Sequence, residues 1–157
     1  MRTIHTFVHG QIRDMSDETI RQGNCTDIYF VRTEETMSRD AINPEVCMEV
    51  TASALSDTWA VFCGLPDVIT LLEGLPITVD AMPEGTIFFP HEPVIRISGK
   101  YRDFCRFETA ILGFLCHASG IASAAAHIML AAQGRPVFSF GSRRQHPAIA
   151  SMIERSA

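Results

Sequence analysis

Residues Ala110–Ala132, AILGFLCHASGIASAAAHIMLAA, contain no Asp, Glu, Lys or Arg. A run of this length is close to the roughly 20 apolar residues that cross a bilayer as a helix. However, His117, Ser119, Ser123 and His127 interrupt the run, and alanine contributes little to membrane partitioning. The segment therefore favours helices that are buried inside a soluble protein over a membrane span.

The helical pattern begins before this uncharged run. Its apolar positions follow alternating steps of three and four residues, which places them on one helix face: Phe104, Phe107, Ile111, Phe114 and Ala118. Ser119 and Gly120 are expected to interrupt the helix, so that a second, alanine-rich helix reaches Gln133 and ends at Gly134. The same pattern makes His117 and His127 core histidines and Cys116 a buried, unreactive thiol.

The residues before this helical region alternate short helix and strand patterns. Asp27 and the residues after it read as a helix with Thr26–Asp27 at its cap, and Pro66 and Gly74 bound another helix. Strand patterns lie at 46–52, 77–82, 85–89 and 93–99, with the last two predicted in one small sheet. After Gly134, residues 136–140 are predicted to form a strand and a helix to begin at Pro147. The residues therefore predict an α+β chain.

Charge excludes one class of partner. The chain has 13 Lys and Arg against 18 Asp and Glu, with pI about 5.6. Proteins that wrap nucleic acid through bulk charge are basic, so we expect no nucleic-acid partner. Any anion site must be local.

Cysteine and histidine spacing bears on redox compartment and metals. The five cysteines form no CxxC pair and are odd in number, which favours free, mostly buried thiols in a reducing cytoplasm. The histidines and cysteines show no zinc-like spacing, so no protein-built metal site is predicted.

The stretch FSFGSRRQHPAI, residues 138–149, is the strongest candidate for chemistry. Gly141 allows a tight turn, Arg143 and Arg144 can clasp phosphate or carboxylate, and His146 precedes a helix N-terminus. Ligands collect at the carboxyl ends of strands in α/β barrels, where this loop is expected. A solvated loop with ordinary surface arginines fits the spacing equally well.

Two other sets of residues have mainly structural interpretations. Tyr29 and Phe30 beside Arg32 fit an amphipathic helix with core aromatics better than a binding site. Asp80 and Glu84 flank a turn, and acids that form turns are commoner than catalytic carboxylate pairs.

Several stretches together resemble a known family, the nicotinate phosphoribosyltransferases of the shorter, archaeal-type branch. The resemblance covers about residues 24–155 in order, as far as the N-terminal portion of that family. It rests on TDIYFVRTEE, MEVTA, WAVFCGLPDVITLLEG, PEGTIFFPHEPVIRISGKYRDF, FETAILGFLCHASGIAS and RPVFSFGSRRQHPAI.

The resemblance implies the type II phosphoribosyltransferase fold. Residues 1–105 would form an N-terminal α/β sandwich domain, with 1–14 as a loosely attached leader. Residues 106–157 would form connecting helices and the first strand-helix unit of an incomplete α/β barrel. The later phosphate loops, and a histidine phosphorylated by ATP, are then expected beyond Ala157.

It also implies an activity in NAD biosynthesis. The family joins nicotinate to the ribose of phosphoribosyl pyrophosphate, with Mg²⁺ carried by the pyrophosphate substrate and ATP hydrolysis often coupled. Arg143 and Arg144 would hold nicotinate carboxylate or pyrophosphate oxygens, and His146 would support their loop. Tyr29 would stack on the pyridine ring in a neighbouring subunit, which predicts a homo-oligomer such as a dimer. The expected compartment is the cytoplasm, with no membrane partner.

Two alternatives remain open. Quinolinate phosphoribosyltransferase is the nearest relative, but it carries an arginine after the glutamate where this chain has Glu108–Thr109. The other is a non-catalytic fragment that associates with intact enzyme through an apolar face at Phe138, Ile149 and Met152. On either view this chain alone is expected to be inactive.

Overall fold

The computed structural model describes residues 15–157, so the predicted leader at 1–14 lies outside the described residues. The helices are α1 (Asp17–Arg21), α2 (Ile28–Arg39), α3 (Leu65–Leu72), α4 (Tyr101–Phe104), α5 (Glu108–Ala132) and α6 (Ala150–Ser156). Short 3₁₀ turns lie at Cys105–Phe107, Ser142–Arg144 and Pro147–Ile149. The strands are β1 (Glu45–Val50), β2 (Ala60–Val61), β3 (Ile77–Ala81), β4 (Ile87–Phe88) and β5 (Ile95–Lys100). The predicted α+β class is confirmed.

The strands form two small antiparallel sheets. One has the order β1-β5-β3, and the other pairs β2 with β4. The prediction that 85–89 and 93–99 share one sheet is wrong. Between them, Pro90 and Pro93 cannot donate to a ladder, and His91 has a φ of 67°. This turn directs β5 into the larger sheet instead.

The hydrophobic core lies between the sheets and α5. Phe62, Val68 and Ile95 are almost completely buried, and Ile111 and Leu115 of α5 pack in the same cluster. The predicted helical stripe is therefore confirmed as a core-facing stripe, although α4 and a 3₁₀ turn carry its first residues. Burial of these side chains supplies the main driving force for folding.

The predicted break at Ser119–Gly120 is wrong, because α5 runs unbroken from Glu108 to Ala132. A helix interior tolerates one glycine at a cost of about 1 kcal/mol, which packing can offset. Gly120 is exposed and Ser119 is buried, so the pair places a small residue on each side of the helix without disturbing its hydrogen bonds. The helix ends as predicted, with Gln133 and Gly134 at positive φ.

The expectation of fully buried helices is also wrong. One face of α5 contacts β2, α3 and α6, but Leu112, Ile128, Met129 and Leu130 are exposed. Residues Tyr101–Ala132 are long and apolar enough, by length and composition only, to cross a membrane. In this structure they supply one wall of a protein core.

Residues 136–140 do not form the predicted strand. Val137, Phe138 and Phe140 are exposed, and no neighbouring strand among residues 15–157 pairs with this segment. An alternating pattern indicates a strand only if a partner supplies the ladder hydrogen bonds. Here that partner is not among the described residues.

Two serines of α5 attach the smaller sheet to the helix. The Ser119 hydroxyl donates to the carbonyl of Cys63 and accepts from its N–H, each at 3.0 Å. The Ser123 hydroxyl accepts from the N–H of Val61 at 2.8 Å. Strand β2 has only two residues, so these contacts satisfy backbone groups that its single neighbour leaves unpaired.

We expect Ser119→Ala to lower the free energy of unfolding by about 1–3 kcal/mol, because both backbone groups of Cys63 lose their partner in a part-buried position. Urea unfolding with an unchanged m-value measures this. Ser38→Ala, at an exposed position on α2, is the matched control and is expected to have little effect. Equal midpoints for the two variants would contradict the role of Ser119.

Candidate functional site

Arg143 and Arg144 lie on the 3₁₀ turn Ser142–Arg144 and are exposed. The turn is closed by the Arg144 N–H, which donates to the Gly141 carbonyl at 2.9 Å. Within residues 15–157 no carboxylate forms an ion pair with either guanidinium. We call residues 139–144 the arginine turn. Within the described part of the chain, it presents two adjacent cations that no carboxylate pairs with.

An aromatic ring supports one of these cations. The guanidinium carbon of Arg143 lies 4.8 Å from the centre of the Phe140 ring. Contacts of this kind at exposed sites are worth about 0.5–1 kcal/mol. Phe140 therefore restricts where the Arg143 side chain extends, although the ring itself is largely exposed.

His146 begins the next turn, Pro147–Ile149. Its Nδ1 accepts a hydrogen bond from the backbone N–H of Ala148 at 3.1 Å. A nitrogen that accepts in this way carries no proton, so the turn selects the tautomer with hydrogen on Nε2. His146 therefore caps the turn Pro147–Ile149, two residues beyond the arginine turn, and its supporting role for the arginines stays a prediction.

Sequence reasoning missed Glu154, on α6. Its Oε1 accepts from the backbone N–H of Ser142 at 2.8 Å. This bond, with a further hydrogen bond from the Ser139 hydroxyl, lowers the pKa of the Glu154 carboxyl. Nothing in the spacing of a glutamate twelve residues downstream indicates this contact, because it depends on how α6 packs.

Tyr29 lies on the first turn of α2 and is 54% exposed. Its ring centre is 4.2 Å from that of the buried Phe30. Partial burial, together with the negative charges of Glu108 and Asp27, raises the pKa of the Tyr29 hydroxyl. The core-aromatic interpretation holds for Phe30 and is wrong for Tyr29, which presents an open ring.

Asp27 joins α2 to the first turn of α5. The Thr109 hydroxyl donates to the Asp27 carboxylate at 3.0 Å and accepts from the Asp27 backbone N–H at 3.3 Å. Asp27 does occupy the predicted cap position, but its carboxylate binds Thr109 and not the amides of α2. Burial and then Asp27 raise the pKa of Glu108. The surface around Tyr29 is therefore acidic.

Two cavities among residues 15–157 lie apart from Tyr29 and the arginines. A cavity of about 570 Å³ lies between residues 50–59 and α5, and one of about 630 Å³ lies among α1, α3, α5 and α6. Neither is lined by Tyr29, Arg143 or Arg144. The candidate residues thus form two separate surfaces.

The structure corrects three further expectations. His117 and Cys116 are exposed, while His127 is half-buried and stacks on Trp59 with ring centres 4.0 Å apart. Of the five cysteines, Cys105 alone is buried. The outward face of α5 explains the exposure of Cys116 and His117, since a sequence stripe does not show how wide the buried face is.

Asp80 and Glu84 do not form a carboxylate pair for acid–base work. Glu84 accepts from the backbone N–H groups of Gly64 at 2.6 Å and Leu65 at 2.9 Å, so it caps the start of α3. Asp80 lies in β3, opposite Arg96 of β5. The structural interpretation of these acids is confirmed for Glu84.

The fold and the candidate site can be compared with those of known proteins. Residues 27–119, more than half of the chain, match the family model described as quinolinate phosphoribosyl transferase, N-terminal domain. The chain belongs to this family. The matched range contains Tyr29, Asp27, Glu108 and Thr109, whereas the arginine turn lies beyond it.

Solved structures extend the similarity over both surfaces. The crystal structure of nicotinate-nucleotide pyrophosphorylase from Pyrococcus furiosus is 45% identical with a TM-score of 0.88, covering 99% of this chain and 39% of that one. Human nicotinic acid phosphoribosyltransferase, 22% identical with a TM-score of 0.65 over 72% of this chain and 29% of that one, shows the fold alone. The predicted type II phosphoribosyltransferase fold is confirmed.

A curated relative gives a consistent picture. A nicotinate phosphoribosyltransferase of Mycobacterium tuberculosis is 39% identical over 79 residues, which are 50% of this chain and 18% of the relative. The chain thus spans well under half the length of these relatives. The resemblance to the nicotinate phosphoribosyltransferase family is confirmed for an N-terminal portion, while the archaeal-type branch and the proposed domain boundaries stay predictions.

We expect the acidic surface at Tyr29 to produce a pH dependence of stability. Because the folded-state pKa of Glu108 is raised, the folded protein keeps a proton that the unfolded chain has released. The contribution of Glu108 to stability therefore falls as pH rises from its ordinary pKa of about 4 through its raised folded-state pKa, and Glu108→Gln is expected to remove that fall.

Urea midpoints measured across this pH range test the expectation. Glu35→Gln, at an exposed position on α2, serves as the control and is expected to follow the unsubstituted chain. Identical pH profiles for Glu108→Gln and Glu35→Gln would show that Glu108 does not contribute.

Proposed function

We propose that this chain supplies the N-terminal part of a nicotinate phosphoribosyltransferase, which forms nicotinate mononucleotide for NAD synthesis. The observation that carries the proposal is the arginine turn, with two adjacent guanidiniums that no carboxylate among residues 15–157 neutralises. It occurs in a chain that is 39% identical, over 79 residues, to a curated nicotinate phosphoribosyltransferase.

The chemistry of the transfer suits such a turn. As the bond from ribose C1 to pyrophosphate breaks, positive charge develops on the ribose and negative charge on the leaving group. Arg143 and Arg144 stabilise that negative charge, or hold the nicotinate carboxylate, through charge-assisted hydrogen bonds. His146 caps the next turn, Pro147–Ile149, and in the proposal that turn supports the loop of the arginines. The pyridine nitrogen is itself the nucleophile, so no side-chain nucleophile is needed.

Tyr29 acts as the platform for the pyridine ring. Its half-exposed ring rests on buried Phe30, which limits its freedom and lowers the entropic cost of stacking. Neither of the two cavities described among residues 15–157 is lined by Tyr29 or by the arginines, which supports an active site that combines surfaces from two subunits of a homo-oligomer. Other partners, including nucleic acid and membranes, are not part of the proposal, and the proposed compartment is the cytoplasm.

Charge around the platform supports nicotinate over quinolinate. Asp27 and Glu108 lie beside Tyr29, and Thr109 is bonded to Asp27 rather than to a cation. A second carboxylate on the pyridine ring would meet these acids and be repelled. Nicotinate has no second carboxylate and avoids this repulsion.

Quinolinate is the second candidate substrate. It is favoured by the description of the matching family model, which names quinolinate phosphoribosyl transferase. Binding of a dicarboxylate at Tyr29 would then require a cation from another subunit to outweigh Asp27 and Glu108.

In the proposed reaction, Mg²⁺ binds as a complex with a substrate, and ATP acts as a coupled reactant. Residues 15–157 contain no group of three or more His, Cys, Asp and Glu side chains that could hold a metal ion. In the proposal, Mg²⁺ arrives bound to the pyrophosphate oxygens of the substrate. ATP coupling would depend on residues outside this chain.

We expect the purified 157-residue chain to show no turnover with nicotinate, phosphoribosyl pyrophosphate, Mg²⁺ and ATP. The physical reason is that neither cavity described among residues 15–157 is lined by residues of both candidate surfaces, so neither holds both reactants between them. Formation of nicotinate mononucleotide, followed by chromatography, would contradict this. A non-catalytic role beside intact enzyme, through exposed Phe138, would be supported if the chain bound such an enzyme without altering its rate.

A chimera tests the substrate directly. Residues 15–157 replace the matching segment of the Pyrococcus furiosus protein, whose coverage and identity make the exchange conservative. We expect kcat/KM with nicotinate to exceed that with quinolinate by at least about tenfold, and the unmodified P. furiosus protein is the reference. Faster use of quinolinate with release of CO₂ would establish the second candidate.

The same chimera carries the arginine variants. Arg143→Ala and Arg144→Ala are each expected to lower kcat/KM by about 10²-fold, because a preorganised cation is lost where charge develops. Arg39→Ala, at an exposed position on α2, is the matched control and should leave the rate unchanged. Rates within twofold of the unsubstituted chimera for both arginine variants would remove these residues from the site.

A further inference from the structure

Three consecutive residues of α6 contact three different parts of the molecule. Ile153 is 5% exposed and enters the interior, Glu154 binds the arginine turn, and Arg155 binds Asp67 of α3. A helix that is anchored on both sides of one residue holds that residue at a defined place. Glu154 is that central residue.

The anchors on either side are specific. An Arg155 guanidinium nitrogen lies 2.6 Å from the Asp67 carboxylate, and this contact joins α6 to α3. The position of Gly141 adds a packing contact, because a Cβ at that residue would lie 3.2 Å from the Ile153 side chain. The backbone of the arginine turn thus runs close against α6.

Glu154 contacts the arginine turn at its start. Its Oε1 accepts from the Ser142 N–H at 2.8 Å, and Ser142 immediately precedes Arg143 and Arg144. Bonds to an ionised acceptor are about twice as strong as neutral ones.

The turn has few other means of holding its shape. It is exposed, it is not part of a sheet, and its adjacent guanidiniums repel each other. Its internal contacts are the Arg144 N–H to Gly141 carbonyl bond, the Gly141 N–H to Ser139 hydroxyl bond and the Phe140 ring against Arg143. None of these joins the turn to a helix, whereas the Glu154 carboxylate does.

We propose that Glu154 is the positioning residue of the arginine turn, holding Arg143 and Arg144 on α6 so that together they form one site for a pyrophosphate-like anion. The inference rests on the proposed function of the two arginines as anion ligands. Glu154 itself binds the turn backbone and does not contact the anion. Its contribution is to the geometry of the site.

The test uses the purified 157-residue chain and its Glu154→Ala and Glu154→Gln variants, with exposed Glu73→Ala as the matched control. Trypsin cleavage after Arg143 and Arg144, relative to cleavage after Arg39 in the same chain, measures the order of the turn. Hydrogen exchange at the Ser142 amide measures the bond to Glu154 itself. Inorganic pyrophosphate is the anion probe, and circular dichroism melting shows that each variant is folded.

For Glu154→Ala we expect about fivefold faster cleavage at the turn and faster Ser142 exchange, because a charge-assisted bond is lost. Pyrophosphate is expected to slow cleavage in the unsubstituted chain and to lose most of that effect in Glu154→Ala at an unchanged melting midpoint. Glu154→Gln keeps an acceptor and should restore part of the order and of the pyrophosphate effect. A purely structural role for Glu154 would lower the midpoint and leave the relative cleavage unchanged.

The possible results separate this inference from the proposed function. Cleavage and exchange in Glu154→Ala within twofold of the unsubstituted chain would overturn the positioning role. If Glu154→Ala loosens the turn but pyrophosphate protects neither protein, Glu154 holds the turn and the anion-binding role of the arginines is wrong. If loosening and loss of protection occur together, both are supported.

Discussion

The structure depends on one face of α5 being held against the two small sheets. Ile111, Leu115 and Ala118 of that face are buried, and Ser119 and Ser123 bind the backbone around β2. Neither sheet is large enough to be stable alone, since the larger has three strands and the smaller has two. The same face of α5 therefore buries apolar side chains against the sheets and supplies hydrogen-bond partners to the backbone around β2.

This arrangement positions both candidate surfaces. The first turn of α5 binds Asp27 through Thr109, which places Tyr29 beside Glu108. Farther along, Gly113–His117 lie beside α6, and α6 in turn holds the arginine turn through Glu154. The helix therefore fixes an acidic aromatic surface and a cationic turn in one rigid frame.

The sequence predicted local elements well where local physics decides them. The strand predicted at 46–52 is present as β1, the helix predicted between Pro66 and Gly74 is present as α3, and α5 ends before Gly134 as predicted. The sequence predictions were wrong where contacts with other elements of the chain determine the local structure. Residues 136–140 alternate like a strand but have no strand beside them in the described chain, and Ser119–Gly120 looked like a helix break until packing on Cys63 was known.

For the candidate site, the sequence by itself determined the chemical groups: two adjacent arginines after a glycine, an aromatic residue at a helix start, and a threonine in place of a cation after Glu108. The tertiary structure alone decided how they are held and what surrounds them. Asp27 meets Thr109, and Glu154 meets Ser142, across separations of 82 and 12 residues. Hydrogen bonds of this kind require donor and acceptor within about 3 Å, and only the packing of separate helices brings these atoms so close.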